Sequence, residues 1–244
     1  MSNPAKRGKF ITFEGLDGCG KSTQLEKLAA VLRAEGIDVL TTREPGGTEI
    51  GERIRAVLLD SRTAGLDPMA EMALMFASRA QQLAQVIEPA LDGGKWVLCD
   101  RFTDSTEAYQ GGGRHLGSDA VLQLHKVLCR GLWPDLTILM DSDVEHSVKR
   151  ARRRNKVATD GALADENRFE QESYAFFTRV QQAFRAIAQR EPQRVAMVDA
   201  RRPAEVVHPE IMRIVRERLL NEGGAAQHGR RSNTEGMRNS DGVR

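Results

Sequence analysis

An α/β fold, with a mostly parallel sheet covered by helices on both faces, is predicted by two features of this sequence and bounded by a third. Apolar strand-like runs at 10–13, 38–42, 96–99, 136–140 and 195–198 alternate with helical patterns at 21–34, 49–59, 68–91, 119–129, 144–153, 168–190 and 204–220. Such a βαβ rhythm places parallel strands between layers of helices. The segment Gly15-Leu16-Asp17-Gly18-Cys19-Gly20-Lys21-Ser22 fits G-x-x-x-x-G-K-[ST] and stands between the first strand and the first helix, the context this pattern requires. A length of 244 residues accommodates one such domain with short appendages.

The first strand, Phe10-Ile11-Thr12-Phe13, is aromatic and β-branched, as buried strands are. The helix after the glycine loop carries Leu25, Leu28 and Leu32 on one face. Between them, Gly15, Gly18 and Gly20 let the backbone wrap closely around a triphosphate. Backbone N–H groups at a helix start point at such an anion, and the helix dipole favours it. Lys21 supplies a positive charge for the β- and γ-phosphates, and the Ser22 hydroxyl a ligand for Mg²⁺. Cys19 reads as a small spacer, although a helix N-terminus can also lower a thiol pKa.

In open α/β sheets ligands lie outside the carboxyl ends of the strands, so the loops there carry the function. After the second strand comes Thr42-Arg43-Glu44-Pro45-Gly46-Gly47-Thr48, with a tight turn at Pro45-Gly46-Gly47. Arg43 and Glu44 stand at its rim; taken alone, the stretch is equally an ordinary βα connection. Arg55, one helix on, either faces the same cleft or is an exposed helical arginine. In the helix at 68–91, Met72, Met75, Phe76, Leu83 and Val86 have core spacing, and Arg79 interrupts them. A buried Arg79 needs an anion, and a ligand phosphate or an internal carboxylate serves equally.

The third strand ends in Asp100-Arg101-Phe102. Asp100 suits the acid that helps hold Mg²⁺, and Arg101 a phosphate; a structural ion pair between them is the alternative. Thr106, Tyr109 and Gln110 follow at i, i+3, i+4 spacing, with hydroxyl, aromatic and amide groups that suit a base and a sugar. The triple glycine after them, Gly111-Gly112-Gly113, allows close approach or movement. The densest positive charge is Lys149-Arg150-Ala151-Arg152-Arg153-Arg154-Asn155-Lys156. It reads as a lid over the phosphates, a nucleic-acid patch or a solvated helix end. No aromatic is interleaved, which weakens a stacking platform.

Composition narrows the classes. A formal net charge of +2 names no polyanionic partner, and no apolar run reaches the ~20 residues of a membrane span. The cysteines Cys19, Cys99 and Cys129 show neither a disulfide framework nor zinc spacing, so a cytoplasmic location is expected. Residues 1–8 read as a flexible polar start without a secretory signal, 9–222 as the domain with a lid at about 150–168, and 223–244 as a disordered tail. Asn155-Lys156-Val157-Ala158 lacks the acid of a guanine-reading Asn-Lys-x-Asp, which argues against a GTP-driven switch.

Taken together these motifs resemble the thymidylate kinase family, bacterial type. The matching residues are Phe13 to Thr23, Thr42 to Thr48, Asp100-Arg101-Phe102, Ser105-Thr106, Ala108-Tyr109-Gln110-Gly111-Gly112, Pro134-Asp135-Leu136 and Arg168-Phe169-Glu170. The resemblance implies a P-loop NTPase fold with a five-stranded parallel sheet and a lid. It implies phosphoryl transfer from MgATP to dTMP, giving dTDP and ADP for dTTP synthesis in de novo and salvage pathways. A homodimer with no nucleic-acid or membrane partner is implied as well. ATP would then lie on residues 15–23, from Gly15 through Leu16 and Cys19 to Thr23. Asp17 would serve the acceptor's sugar and phosphate, with Arg43, Glu44 and Pro45 at the acceptor pocket and a cis peptide before Pro45. Arg79 and Arg101 would hold the acceptor phosphate. Arg55 and Gln110 would approach thymine, with Thr106 at its edge and Tyr109 on the sugar. The loop has no arginine, so the lid would supply the catalytic one, from Arg150, Arg153, Arg154 or Arg168. Where many members stack a Phe on the base this chain has Met75, with Phe76 next to it; either Phe76 would stack from a shifted angle or Met75 would supply a softer floor. The stretch 155–167 is longer than the short lids of the family.

Overall fold

The computed structural model describes residues 7–159 and 168–220. Five strands, β1 (Phe10–Glu14), β2 (Val39–Arg43), β3 (Trp96–Asp100), β4 (Leu136–Asp141) and β5 (Val195–Asp199), form one sheet in the order β2-β3-β1-β4-β5. Every pairing in it is parallel. β1 therefore lies between β3 and β4, and the order reverses around it. Ligands of open α/β sheets bind at such a switch point. The register sets Phe13 opposite Asp100 on β3 and Ile138 on β4, so the end of β3 stands beside the loop that leaves β1.

One face of the sheet is covered by α1 (Lys21–Ala34) and α9 (Ala204–Val215), which bury Leu28, Leu32 and Ile211 against Ile11, Phe13, Ile138 and Val198. Each such fully buried side chain contributes about 1.5–3 kcal/mol. The opposite face carries two apolar clusters. One gathers α3 (Pro68–Gln82) and α6 (Ser118–Leu128) around Phe10, Phe76, Val97 and Phe102. The other gathers α7 (Val144–Thr159) and α8 (Tyr174–Arg190) around Tyr109, Leu139, Phe176 and Phe184. Thr12, Glu14, Asp104 and Thr137 are buried polar residues on the same side of the molecule, where Thr12 and Thr137 share a hydroxyl bond of 2.7 Å. Among the described residues, no helix is long and apolar enough to cross a membrane.

Several elements depart from the expected bounds for local reasons. The helix expected over 68–91 is α3, a widened π-helical turn at Leu83–Ile87, and α4 (Glu88–Asp92). Pro89 has no N–H and its ring crowds the preceding turn, which a π bulge accommodates. The helix expected from 168 begins only at Tyr174, because the Ser173 hydroxyl caps it by accepting the Phe176 N–H at 3.2 Å. The short helix α5 (Thr103–Thr106) continues as a π-helical stretch, Glu107–Gly113. Its glycines serve close approach: a Cβ on Gly113 would lie 2.6 Å from the Phe176 ring of α8. The expected tail at 223–244 lies outside the described residues, as does 160–167 of the expected lid.

Candidate active site

The loop after β1 leads directly into α1, whose N-cap, Gly20, offers no side chain to its first-turn N–H groups. Such groups, together with the helix dipole, form an anion site. Lys21 is buried and donates to the Gly15 and Leu16 carbonyls at 3.2 and 3.0 Å. Gly18 has φ +82°, and a Cβ there would meet the Ser147 carbonyl oxygen at 2.3 Å. Glycine thus serves the approach of α7 as well as that of a phosphate. Ser22 and Thr23 are exposed in the first turn, while Leu16 and Cys19 are buried. Burial pushes the Cys19 thiol up, against the lowered thiol that a helix start can produce.

Ser22 donates its hydroxyl to Asp100 Oδ2 at 2.7 Å. Asp100 Oδ1 is buried and has no hydrogen-bond partner among the described residues. A hydroxyl and an orphaned carboxylate oxygen at the loop fit a hard cation such as Mg²⁺.

Beside the loop opens a cleft lined from the glycine loop, the ends of β2 and β3, the segment at 105–110, and α2 (Glu49–Leu59), α3 and α7. Asp17 anchors it. Arg101 donates to Asp17 Oδ1 at 2.8 Å and to the Ser105 hydroxyl at 2.7 Å, and Tyr109 donates to Asp17 Oδ2 at 3.3 Å. Burial alone would raise the Asp17 carboxyl, but Arg101 and Lys21 outweigh it and hold Asp17 well below the usual carboxylate range. Arg101 adopts φ +75°, a left-handed conformation rare outside glycine. Its neighbours are pinned: Glu14, at the end of β1, accepts the Phe102 N–H at 2.7 Å and the Ser105 hydroxyl at 2.5 Å. Burial, and then the Asp104 charge, push Glu14 up to about 8.

From β2 the chain passes through a cis Glu44–Pro45 peptide. Glu44 answers the question left open for Arg79: Arg79 Nε donates to Glu44 Oε2 at 2.6 Å, with both side chains buried. Burial raises Glu44 to about 7 despite that pairing. Arg79 also donates to Thr106 Oγ1 at 3.0 Å, and among the described residues its buried Nη1 has no partner. Arg55 lines the cleft and donates to the Pro45 carbonyl at 3.1 Å. Gln110, also a lining residue, donates Nε2 to Glu71 Oε1 at 2.7 Å.

Five expected acceptor-site or catalytic residues, Arg43, Phe76, Arg150, Arg153 and Arg168, are not brought to the cleft lining. Arg43, the last residue of β2, turns its exposed side chain toward Glu52 at 3.0 Å. Phe76 is fully buried in the core, with the Arg79 guanidinium 4.8 Å from its ring; Met75, one position earlier on α3, lines the cleft instead. Arg168 is buried at the return of the chain, paired with Glu71 at 2.6 Å and donating to the Leu58 carbonyl at 2.5 Å. Of the remaining lid candidates, Arg154 lines the cleft, whereas Arg150 and Arg153 are exposed residues of α7 outside that lining. Leu59, Phe102, Ser105, Phe169 and Glu170 complete the wall without having been assigned roles. Glu14 and Glu71 were also missed. A carboxylate ending an apolar strand, and one set four residues before Met75 on a mostly apolar helix, were the available signals.

A sequence model described as thymidylate kinase matches residues 13–211. A thymidylate kinase of Desulfovibrio desulfuricans is 50% identical over 198 residues, 81% of this chain and 90% of that protein. One from Trichlorobacter lovleyi is 51% identical over 198 residues, 81% of this chain and 92% of its own length. Among solved structures, a thymidylate kinase from Ehrlichia chaffeensis superposes with a TM-score of 0.67 at 32% identity, covering 86% of this chain and 99% of its own.

Proposed function

The chain belongs to the thymidylate kinase family, a family of nucleoside-monophosphate kinases, and from that premise we propose how its cleft moves the γ-phosphoryl group of ATP onto dTMP. The observation that carries the reading is the contact of Arg101 with Asp17 at 2.8 Å. It joins the phosphate loop to the segment after β3 in one cleft, so donor and acceptor share a wall.

ATP is assigned to the loop, with its phosphates on the α1 N-terminus and Lys21. Ser22 and Asp100 would hold Mg²⁺, which when bound offsets the charge of the β- and γ-phosphates. Arg101 is assigned to the dTMP phosphate. Asp17, kept ionised, is assigned to a sugar hydroxyl as a pure acceptor. The role expected for Arg79 changes: Glu44 balances its charge, so the unpartnered Nη1 suits a neutral base carbonyl better than a phosphate dianion. Met75 replaces Phe76 as the floor under the base.

A dTMP phosphate oxygen, anionic near neutral pH, attacks the γ-phosphorus; the bond to the β-bridging oxygen breaks and ADP leaves with that electron pair. No strong base is needed, so the catalytic work is positioning and charge stabilisation. Arg154 is the lid arginine we assign to the transferring group, because among the lid candidates only it lines the cleft. The free, buried state of the cysteines supports a cytoplasmic location. Exposed Ile50, Val57 and Met69 on α2 and α3 support a homodimer through that face. ADP release measured with dTMP, dUMP, dCMP, thymidine and no acceptor tests the reading. Release is expected with dTMP above all; turnover of thymidine but not dTMP would overturn it.

A further inference from the structure

Glu71 has no role in the chemistry above, yet it is wholly buried and holds a residue of the cleft. Its Oε1 accepts from Gln110 Nε2 at 2.7 Å and from Arg114 Nε at 3.3 Å. Its Oε2 accepts from Arg114 Nη2 at 3.2 Å and lies 2.6 Å from Arg168 Nη1. Arg168 is itself tied to the Leu58 carbonyl, and Arg114 to Glu172 at 2.5 Å. Glu71 is therefore oriented from two sides before it touches Gln110.

The Gln110 amide has one donor end and one acceptor end. Turning it over would set its oxygen against the Glu71 carboxylate. Gln110 is 1% exposed, so water cannot offset that repulsion. The amide is locked with nitrogen toward Glu71, and its carbonyl Oε1 is the end left for the cleft that Gln110 lines.

We propose that Glu71 sets base specificity: by holding Gln110 Nε2 it fixes Gln110 Oε1 as an acceptor that selects a pyrimidine with a hydrogen on its ring N3. The inference rests on the reading of this cleft as the dTMP pocket. Thymine and uracil carry N3–H, whereas cytosine presents a lone pair there, and two facing acceptors would be left unpaired. Arg79 Nη1, a donor only, favours the same bases if it meets position 4, which is a carbonyl in thymine and uracil and an amino group in cytosine. Glu71 is a positioning residue acting through Gln110.

The test is kcat/KM for dTMP and for dCMP in wild type, Glu71→Gln, Gln110→Ala and the double variant, with a thermal melt of each. The dTMP-to-dCMP ratio is expected to fall roughly tenfold or more in Glu71→Gln, mainly through KM, as an unpaired buried polar group would cause. The double variant is expected to fall no further than Gln110→Ala. An unchanged ratio in folded Glu71→Gln, or additive losses in the double variant, overturns the proposal. If Glu71→Gln does not fold, Glu71→Asp keeps an anion for Arg114 and Arg168 while withdrawing it from Gln110. It is expected to lower the ratio, and an unchanged ratio again overturns the proposal. Wild type that fails to phosphorylate dTMP would sink the functional reading itself, which keeps the two failures apart.

Discussion

Replacing Glu14 with Gln is expected to make stability less sensitive to alkali and, in alkali, to weaken the grip on dTMP. Glu14 is 0% exposed and accepts from Phe102 N–H and the Ser105 hydroxyl. Its carboxyl is raised from 4.5 to about 8, first by burial and then by Asp104. The folded state thus binds a proton that the unfolded state has released, and stability falls as pH rises through that window. Glutamine is isosteric with the protonated form and does not titrate. Stability of Glu14→Gln relative to wild type should therefore climb between the ordinary carboxylate range and about 8. At about 1.4 kcal/mol per pKa unit, the climb is on the order of a few kcal/mol. Urea unfolding of both proteins at a series of pH values measures it. Above about pH 8, where Glu14 is ionised, the same substitution removes the charge behind the Ser105–Arg101 bond of 2.7 Å, so there KM for dTMP should rise more than KM for ATP. A stability difference that stays flat with pH would refute the raised carboxyl, and an unchanged KM for dTMP above that pH would refute its link to Arg101.

Arg154→Ala should lower kcat by about 10³-fold or more with little change in KM for ATP, the signature of a finger that acts in the transition state; loss of ATP affinity alone would contradict its assignment. Gly18→Ala puts a Cβ 2.3 Å from the Ser147 carbonyl oxygen and must displace the loop from α7, so kcat/KM for ATP should fall roughly 10²-fold. Wild-type kinetics in folded Gly18→Ala would contradict that packing. Arg43→Ala should leave KM for dTMP within about twofold, since an exposed pair such as Arg43–Glu52 contributes little; a large rise would return Arg43 to the cleft.

The sheet was legible because each strand is a short apolar run between helical patterns, and the P-loop because its spacing is tied to one geometry. The cleft was legible as a set of loops but less so residue by residue. Arg43 and Glu44 are adjacent, yet the alternation of a strand sends one to solvent and the other into the interior. Phe76 and Met75 are likewise adjacent on a helix, and the roughly 100° step between them decides which meets the cleft. Arg168 sits among motif residues, but its anion is Glu71, distant in sequence. Long-range pairing of this kind has no local period, and it hid Glu14 and Glu71 as well.

The central claim is that the cleft joins donor and acceptor for direct transfer. Following the label from γ-labelled ATP in the presence of dTMP tests it most directly. The account predicts label in dTDP, one for each ADP formed, with both suppressed together in Arg101→Ala and Arg154→Ala. Label appearing as inorganic phosphate, or ADP formation indifferent to dTMP, would contradict it.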